Sequence, residues 1–396
     1  MNMRIVKNSD GINGKVLGNG LFLEKEIRES EHENVKALKY YIYNLETNSK
    51  TEILPKVKKY DLGEVFNINI NSKYVYFFSC MDLNYEKAEI NVVRYDYEND
   101  ESSTVYTFTD DVNQYNAYKR MKMFVINDLY LIVENELMRS NFADTYEGYL
   151  DFELYLYSIK DNKRTDILDE NLVNNGIATM IPLSENACVI KTGFSLLKDA
   201  RYRFLEKSEA SVEGVSIINP AQLVSDILLM KTNIVLDTMD QTYYSQTIPN
   251  INKVDDYIVY SRVNTETHDE EMVFYNYMTR QATCCIGKNV FEEKDLTKYD
   301  VINNVPYIRL VGREKTDFYN LLKNRIEMTF PKSEKVVDVV GDLILTVSKK
   351  KSIFAGAVDY VNIYKYPYNE LLHKEKGLYS GCIMTGKDNF YILTKK

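Results

Sequence analysis

Two stretches of this chain mix aromatic rings with charge in the manner of protein interfaces. Tyr146, Tyr149 and Phe152 stand with Asp144 and Glu147 within residues 138–153, and Arg201, Tyr202, Arg203 and Phe204 lie within residues 193–215. Tyrosine and arginine anchor interfaces because each buries much area while keeping a polar end. The chemistry expected is therefore partner binding, with Tyr146, Tyr149, Phe152, Arg201, Tyr202 and Arg203 as the contact set. The competing reading is packing on the body of the protein, since the chain carries 33 tyrosines among its 396 residues.

Residue types that do covalent or metal chemistry are sparse. There is no nucleophile elbow, P-loop, dinucleotide fingerprint or His-rich metal motif. The three histidines, His32, His268 and His373, are scattered and read as solvated surface groups. The run Glu266-Thr267-His268-Asp269-Glu270-Glu271 offers hard oxygen ligands and an imidazole to a divalent cation. It lacks the spaced Asp/Asn/Gly pattern of a calcium loop and reads as a polar connection. Cys284 and Cys285 are adjacent in a predicted strand, so they point to opposite faces and cannot share one ion. No catalytic residue, metal or cofactor is assigned. The five cysteines have no framework spacing, which fits buried thiols in a reducing compartment.

A net charge of −9 repels phosphate backbones and argues against general nucleic-acid binding. The N-terminal residues form no signal-peptide stretch, and no run approaches membrane-spanning length, so no membrane insertion is expected. A cytoplasmic monomer is expected, unless a leader has been removed.

The elements that must position any site repeat along the chain. Eight times a short turn is followed at once by a strand rich in Val, Ile, Leu, Tyr or Phe. Asn19-Gly20, Asn127-Asp128, Asp255-Asp256, Asn303-Asn304 and Gly341-Asp342 are such turns. Asn, Asp and Gly there supply the positive φ or the side-chain bonds that tight hairpins require. Between these hairpins recurs a second one, of the form apolar–Tyr–polar–apolar, with Tyr43, Tyr95, Tyr157, Tyr275, Tyr319 and Tyr364. A degenerate copy, VLDTMDQTYY, places Leu236 in the tyrosine slot. Alternating buried and half-exposed hairpins over the whole chain are the plan of a four-stranded antiparallel β-propeller blade.

The fold class expected is all-β: a single propeller domain over residues 1–396, closed by its N- and C-terminal strands. Counting favours seven blades, with the last hairpin taking outer strands from YYIYNLETNSKTEIL and the hairpin 14–28 left over. The alternative is eight, with Met3–Lys7 completing the last blade. Residues 193–230 read as an insertion in the fourth blade. Within it Asn219 as N-cap and Pro220 at the first position predict a helix over Ala221–Met230.

The outer hairpins LYLYSIKDNKRTDIL and YYIYNLETNSKTEIL resemble the blade motif of TolB-like and dipeptidyl-peptidase-like propellers. The resemblance implies a bacterial-type propeller platform and carries no catalytic residue. The Asp that follows Tyr in that motif is often Asn, Ser or Lys here. The function expected is a non-catalytic platform presenting loops on one face to a protein, peptide or small ligand. The alternative is an enzyme, a hydrolase or lyase acting on sugars, with carboxylates at the channel mouth.

Overall fold

The computed structural model describes residues 2–7, 14–18, 21–29, 36–45, 47, 49–52, 65–66, 74–82, 87–96, 98–99, 101–111, 121–140, 148–193, 213–242, 246–287, 296–352, 356–366, 370–385 and 389–395. Their strands form eight sheets in chain order. The first seven lie at residues 14–52, 65–111, 121–166, 177–241, 246–287, 296–331 and 334–376. The eighth combines Leu378–Thr385 and Asn389–Lys395 with the N-terminal strand Asn2–Lys7. All are antiparallel up-and-down sheets except at that closing strand, which runs parallel to Asn389–Lys395, Asn2 opposite Asn389 and Lys7 opposite Thr394. The fold is an all-β propeller.

This pairing corrects the seven-blade allotment. Lys36–Asn44 and Ser49–Glu52 are not the outer strands of the last hairpin, because Lys36–Asn44 pairs with Leu21–Glu29 inside the first sheet. The strand Asn2–Lys7 closes the last sheet instead. A parallel partner is joined by no hairpin turn, so no local signal marks it.

Consecutive sheets are glued by apolar clusters. Tyr76, Val92, Met123, Leu131 and Tyr155 join the second sheet to the third. Phe124, Ile132, Leu156, Ile177, Ile190 and Ile218 join the third to the fourth. Tyr257, Val259, Met272, Phe274 and Val301 join the fifth to the sixth. Val6, Tyr43, Leu45, Tyr391 and Leu393 join the eighth to the first. Each fully buried large side chain contributes about 1.5–3 kcal/mol, which is why these strands read as near-continuous apolar runs.

The recurring turns are where the sequence placed them. Asp255, Asn303, Asn304 and Gly341 have φ of 50, 50, 60 and 60°. Asn127 Oδ1 accepts from the backbone N–H groups of Leu129 and Tyr130 at 2.9 and 3.0 Å.

The tyrosine slot is explained by register. Tyr43, Tyr95, Tyr157, Tyr275 and Tyr364 lie opposite Phe22, Val75, Leu131, Ile258 and Ile344, each the second residue of its sheet's second strand. The residue after the slot then turns the chain. Asp96, Asn276 and Asn320 each accept through Oδ1 from the N–H groups two and three residues on, at 2.9–3.1 Å. A short acceptor is what this position needs, so Asn serves as well as Asp.

Register also relocates the degenerate copy. Ile218, not Leu236, lies opposite Cys188, the second residue of Ala187–Thr192, and so occupies the slot. Asn219 follows, and its Oδ1 takes the N–H groups of Ala221 and Gln222 at 2.9 and 3.1 Å. Because Pro220 comes next, the same Asx geometry opens a helix, α2 (Pro220–Leu228), in place of a tight turn. The expected helix is present and ends two residues short of Met230. The stretch 193–230 is not wholly an insertion, since Gly214–Ile218 is the third strand of the fourth sheet. A shorter helix, α1 (Glu170–Asn175), was not anticipated. Asp169 caps it through Leu172 N–H at 2.8 Å and with its other oxygen holds Ile234 N–H at 2.6 Å.

Candidate functional site

In a four-stranded antiparallel blade the turns between strands one and two and between strands three and four leave on one face of the disc. The connection between strands two and three leaves on the other. On that second face the fifth and sixth sheets close compactly. Asn264 O accepts from His268 N–H at 2.9 Å, and Lys315 O accepts from Gly312 N–H at 2.9 Å. In the third and fourth sheets the corresponding strand ends are those of Tyr130–Ser140 and Gly148–Ser158 and of Ala187–Thr192 and Gly214–Ile218, and residues 141–147 and 194–212 between them lie outside the described residues. The described strand ends that flank the two aromatic, charged stretches of the sequence therefore lie on one face of adjoining sheets.

The bases of these connections are tied down by charge. Glu134, fully buried, binds Lys122 Nζ at 2.9 Å and accepts from Ile177 N–H at the start of the next sheet. Glu213 repeats the device one sheet on. It pairs with Lys191 Nζ at 2.8 Å, both side chains at most 4% exposed, and accepts from Ile248 N–H at 3.0 Å and from the Thr247 hydroxyl. Lys191 Nζ also donates to Gly193 O at 3.2 Å, and Gly193 N–H to Gly176 O at 3.1 Å. Buried charges are tolerated only when paired and hydrogen-bonded, and that condition is met here.

Of the six predicted contact residues, Tyr146, Arg201, Tyr202 and Arg203 lie outside the described residues. Tyr149 lies in Gly148–Ser158, opposite Arg139. Phe152 belongs to the core rather than to an exposed patch: it is 5% exposed within the cluster joining the third and fourth sheets. Its ring lies against Gly176, where a Cβ would stand 2.7 Å from Phe152 Cδ1 and φ is +69°. The alternation of Gly148–Ser158 carried Phe152 inward with Leu154 and Leu156.

The remaining candidates are structural. His268 has φ of 59°, in a turn where Asn264 Oδ1 accepts from Glu266 and Thr267 N–H groups at 2.9 Å. Among the described residues no three His, Cys, Asp or Glu side chains converge as metal ligands. Cys284 and Cys285 lie in register opposite Phe274 and Val273. His373 is 3.3 Å from Glu375, which Lys7 also pairs at 2.8 Å. No helix among the described residues is long and apolar enough to cross a membrane.

Sequence reasoning passed over one feature. The inner strands of the fifth, sixth and seventh sheets border a cavity of about 600 Å³, lined by Tyr299, Asp300 and Arg309 among others. Arg309 clasps Asp300 with both Nε and Nη2, at 2.8 and 2.6 Å. Burial pushes the Asp300 carboxyl above its ordinary range, against the pull of that guanidinium. Burial, and then the nearby Glu270, push the Tyr299 phenol up. The available signal was the cross-strand pair Lys298 opposite Arg309, with Asp300 diagonal to it.

No family model matches the chain, and no curated protein matches it. Among solved structures the chain is similar to dipeptidyl peptidase 4 of Porphyromonas gingivalis, at a TM-score of 0.45 and 10% identity over 90% of this chain and 50% of that one. It is similar to an acylaminoacyl peptidase of Pyrococcus horikoshii, at 0.42 and 10%, over 98% of this chain and 64% of that one. The β-propeller domain of the Trilobed protease from Pyrococcus furiosus matches at 0.41 and 9%, over 93% and 94%. This chain thus spans about half of the first peptidase it matches. The likeness is one of fold.

Proposed function

We propose that this propeller is a non-catalytic scaffold that presents residues 141–147 and 194–212, from one face of its third and fourth sheets, to a protein or peptide partner. The observation that carries this reading is that the described strand ends flanking both aromatic, charged stretches lie on one face of adjoining sheets and are fixed by the Lys122–Glu134 and Lys191–Glu213 pairs. Propellers hold loops rigidly, and function resides in loops so held. The buried carboxylates support binding over catalysis. Glu134, Asp169, Glu213, Asp300 and Asp317 are each committed to a structural partner. An acid–base pair would instead need carboxylates open to a substrate.

The test compares wild type with Tyr146→Ala/Tyr149→Ala/Tyr202→Ala in affinity capture from the source cell, with thermal melting to check the fold. The scaffold reading expects a specific partner retained by wild type and lost by the triple variant at unchanged melting temperature. A partner held equally by both proteins, or no specific partner, would sink it.

A further inference from the structure

Among the described residues the eighth sheet stops one strand short of its neighbours. Leu378–Thr385 lies innermost, against Gly14–Gly18 and Glu334–Val340, Asn389–Lys395 is second and Asn2–Lys7 is third. Each of the other seven sheets carries a further, antiparallel strand at the rim, four to eleven residues long, from Ser49–Glu52 in the first to Glu370–Lys376 in the seventh. No described strand takes that position on the outer edge of Asn2–Lys7. A strand edge presents a row of backbone N–H and C=O groups to any extended chain laid along it.

The edge lies on the floor of a slot. Alternation turns Val6 to the first sheet, where it packs with Tyr43 and Leu45, and Met3 and Lys7 to the seventh, where Lys7 Nζ holds Glu375 at 2.8 Å. Both flanking sheets carry a rim strand, which stands about 4.8 Å farther out than the strand it pairs. Two discs meeting rim to rim would touch at those strands before their Asn2–Lys7 edges reached pairing distance, so the edge of a second copy does not fit. A single extended segment does fit, because the other seven sheets hold one at the same depth.

The two walls differ in charge. Tyr43 faces the eighth sheet, and alternation puts Tyr41 beside it. Their cross-strand partners Lys50 and Glu52 share that face, with Lys50 Nζ 4.0 Å from the Tyr41 ring centroid. Arg4 lies on the same strand face as Val6, so the wall toward the first sheet holds the cations Arg4 and Lys50 against one carboxylate, Glu52. On the wall toward the seventh sheet Glu375 is already taken by Lys7, with His373 3.3 Å away. We propose that the outer edge of Asn2–Lys7 receives an extended acidic segment of a partner protein as the fourth strand of the eighth sheet. Its backbone bonds along that edge, and its alternate side chains turn carboxylates to Arg4 and Lys50.

Fluorescence polarisation of labelled peptides on the full chain tests this. The probes are the acidic peptide TEVETET, its basic counterpart TKVKTKT, and two analogues of the acidic peptide, one N-methylated at every glutamate and the other at every threonine and valine. The acidic peptide is expected to bind, and the basic one to bind at least about tenfold more weakly. Alternate amides of a strand point to opposite edges, so one N-methylated analogue is expected to lose at least about tenfold and the other to keep its affinity within a few-fold. Lys50→Glu, at an exposed position, is expected to weaken the acidic peptide several-fold and keep the melting temperature. Sedimentation of the chain alone at about 100 μM is expected to show no dimer that the peptide disperses. No binding at about 1 mM acidic peptide, preference for the basic one, equal effects of the two N-methylations, an unchanged affinity in Lys50→Glu, or a dimer dispersed by the peptide would each overturn the assignment, the last by giving the edge to a second copy.

Discussion

The two faces of the disc are built by different rules. On the turn face the described hairpins of the second, fifth and sixth sheets reverse in short turns closed by their own side chains, while the fourth sheet carries α2 there. Asp96, Asn276 and Asn320 bond the amides that follow them, and neighbouring turns bond each other. Asn304 Nδ2, for example, donates to Asp256 Oδ2 at 2.9 Å across the fifth and sixth sheets. On the loop face the described strand ends of the third and fourth sheets are held by buried ion pairs, those of Glu134 and Glu213. One face is fixed largely by side-chain bonds to turn amides, the other by buried ion pairs at the strand ends.

The comparison is broken most severely at Glu213. Glu213→Gln leaves Lys191 charged and buried without its carboxylate, and the expected loss is about 3–5 kcal/mol. Chemical denaturation of the variant measures it; a loss below about 1 kcal/mol would mean that the pair does not hold the base of the loop. The turn face should be more forgiving, because each turn is one of many. Asn219→Ala removes the cap of α2 and is expected to cost about 1 kcal/mol, read from the same denaturation curves. A cost like that of Glu213→Gln would erase the distinction.

Acid should tell the faces apart more gently. Burial works to raise the Glu327 carboxyl, but donors from Lys323, Tyr307 and Asn320 bring it from 4.5 down to about 2. A depressed carboxyl adds stability that is complete above its unfolded value and disappears as pH falls through the folded one. The stability gap between wild type and Glu327→Gln should therefore be full at neutral pH and close between about 4.5 and 2. Melting curves across that range check the sign; a gap that persists at the acid end would show that the carboxylate charge is not what the turn uses.

How legible these features were in the sequence follows from how local their causes are. The turns at Asp255, Asn303 and Gly341 could be read directly, because positive φ selects Asn, Asp and Gly within a few residues. The cap at Asn219 was local in the same way. What failed was non-local. The partner of Asn2–Lys7 lies at the far end of the chain, and the tyrosine slot of the fourth sheet holds Ile218, which only register reveals. Phe152 looked like an interface ring because it keeps company with Tyr146 and Tyr149, yet strand alternation turns it into the core. Glu134, Glu213 and Arg309 gave no motif at all, since each finds its partner across strands or across sheets.

The central claim is that the loop face, and not the turn face, meets the partner. A photo-crosslinking residue installed at position 202 and, separately, at position 323 in the turn of the sixth sheet tests it most directly. The account predicts a discrete crosslinked partner from position 202 and none from position 323. Crosslinks of equal yield from both positions, or from position 323 alone, would contradict it.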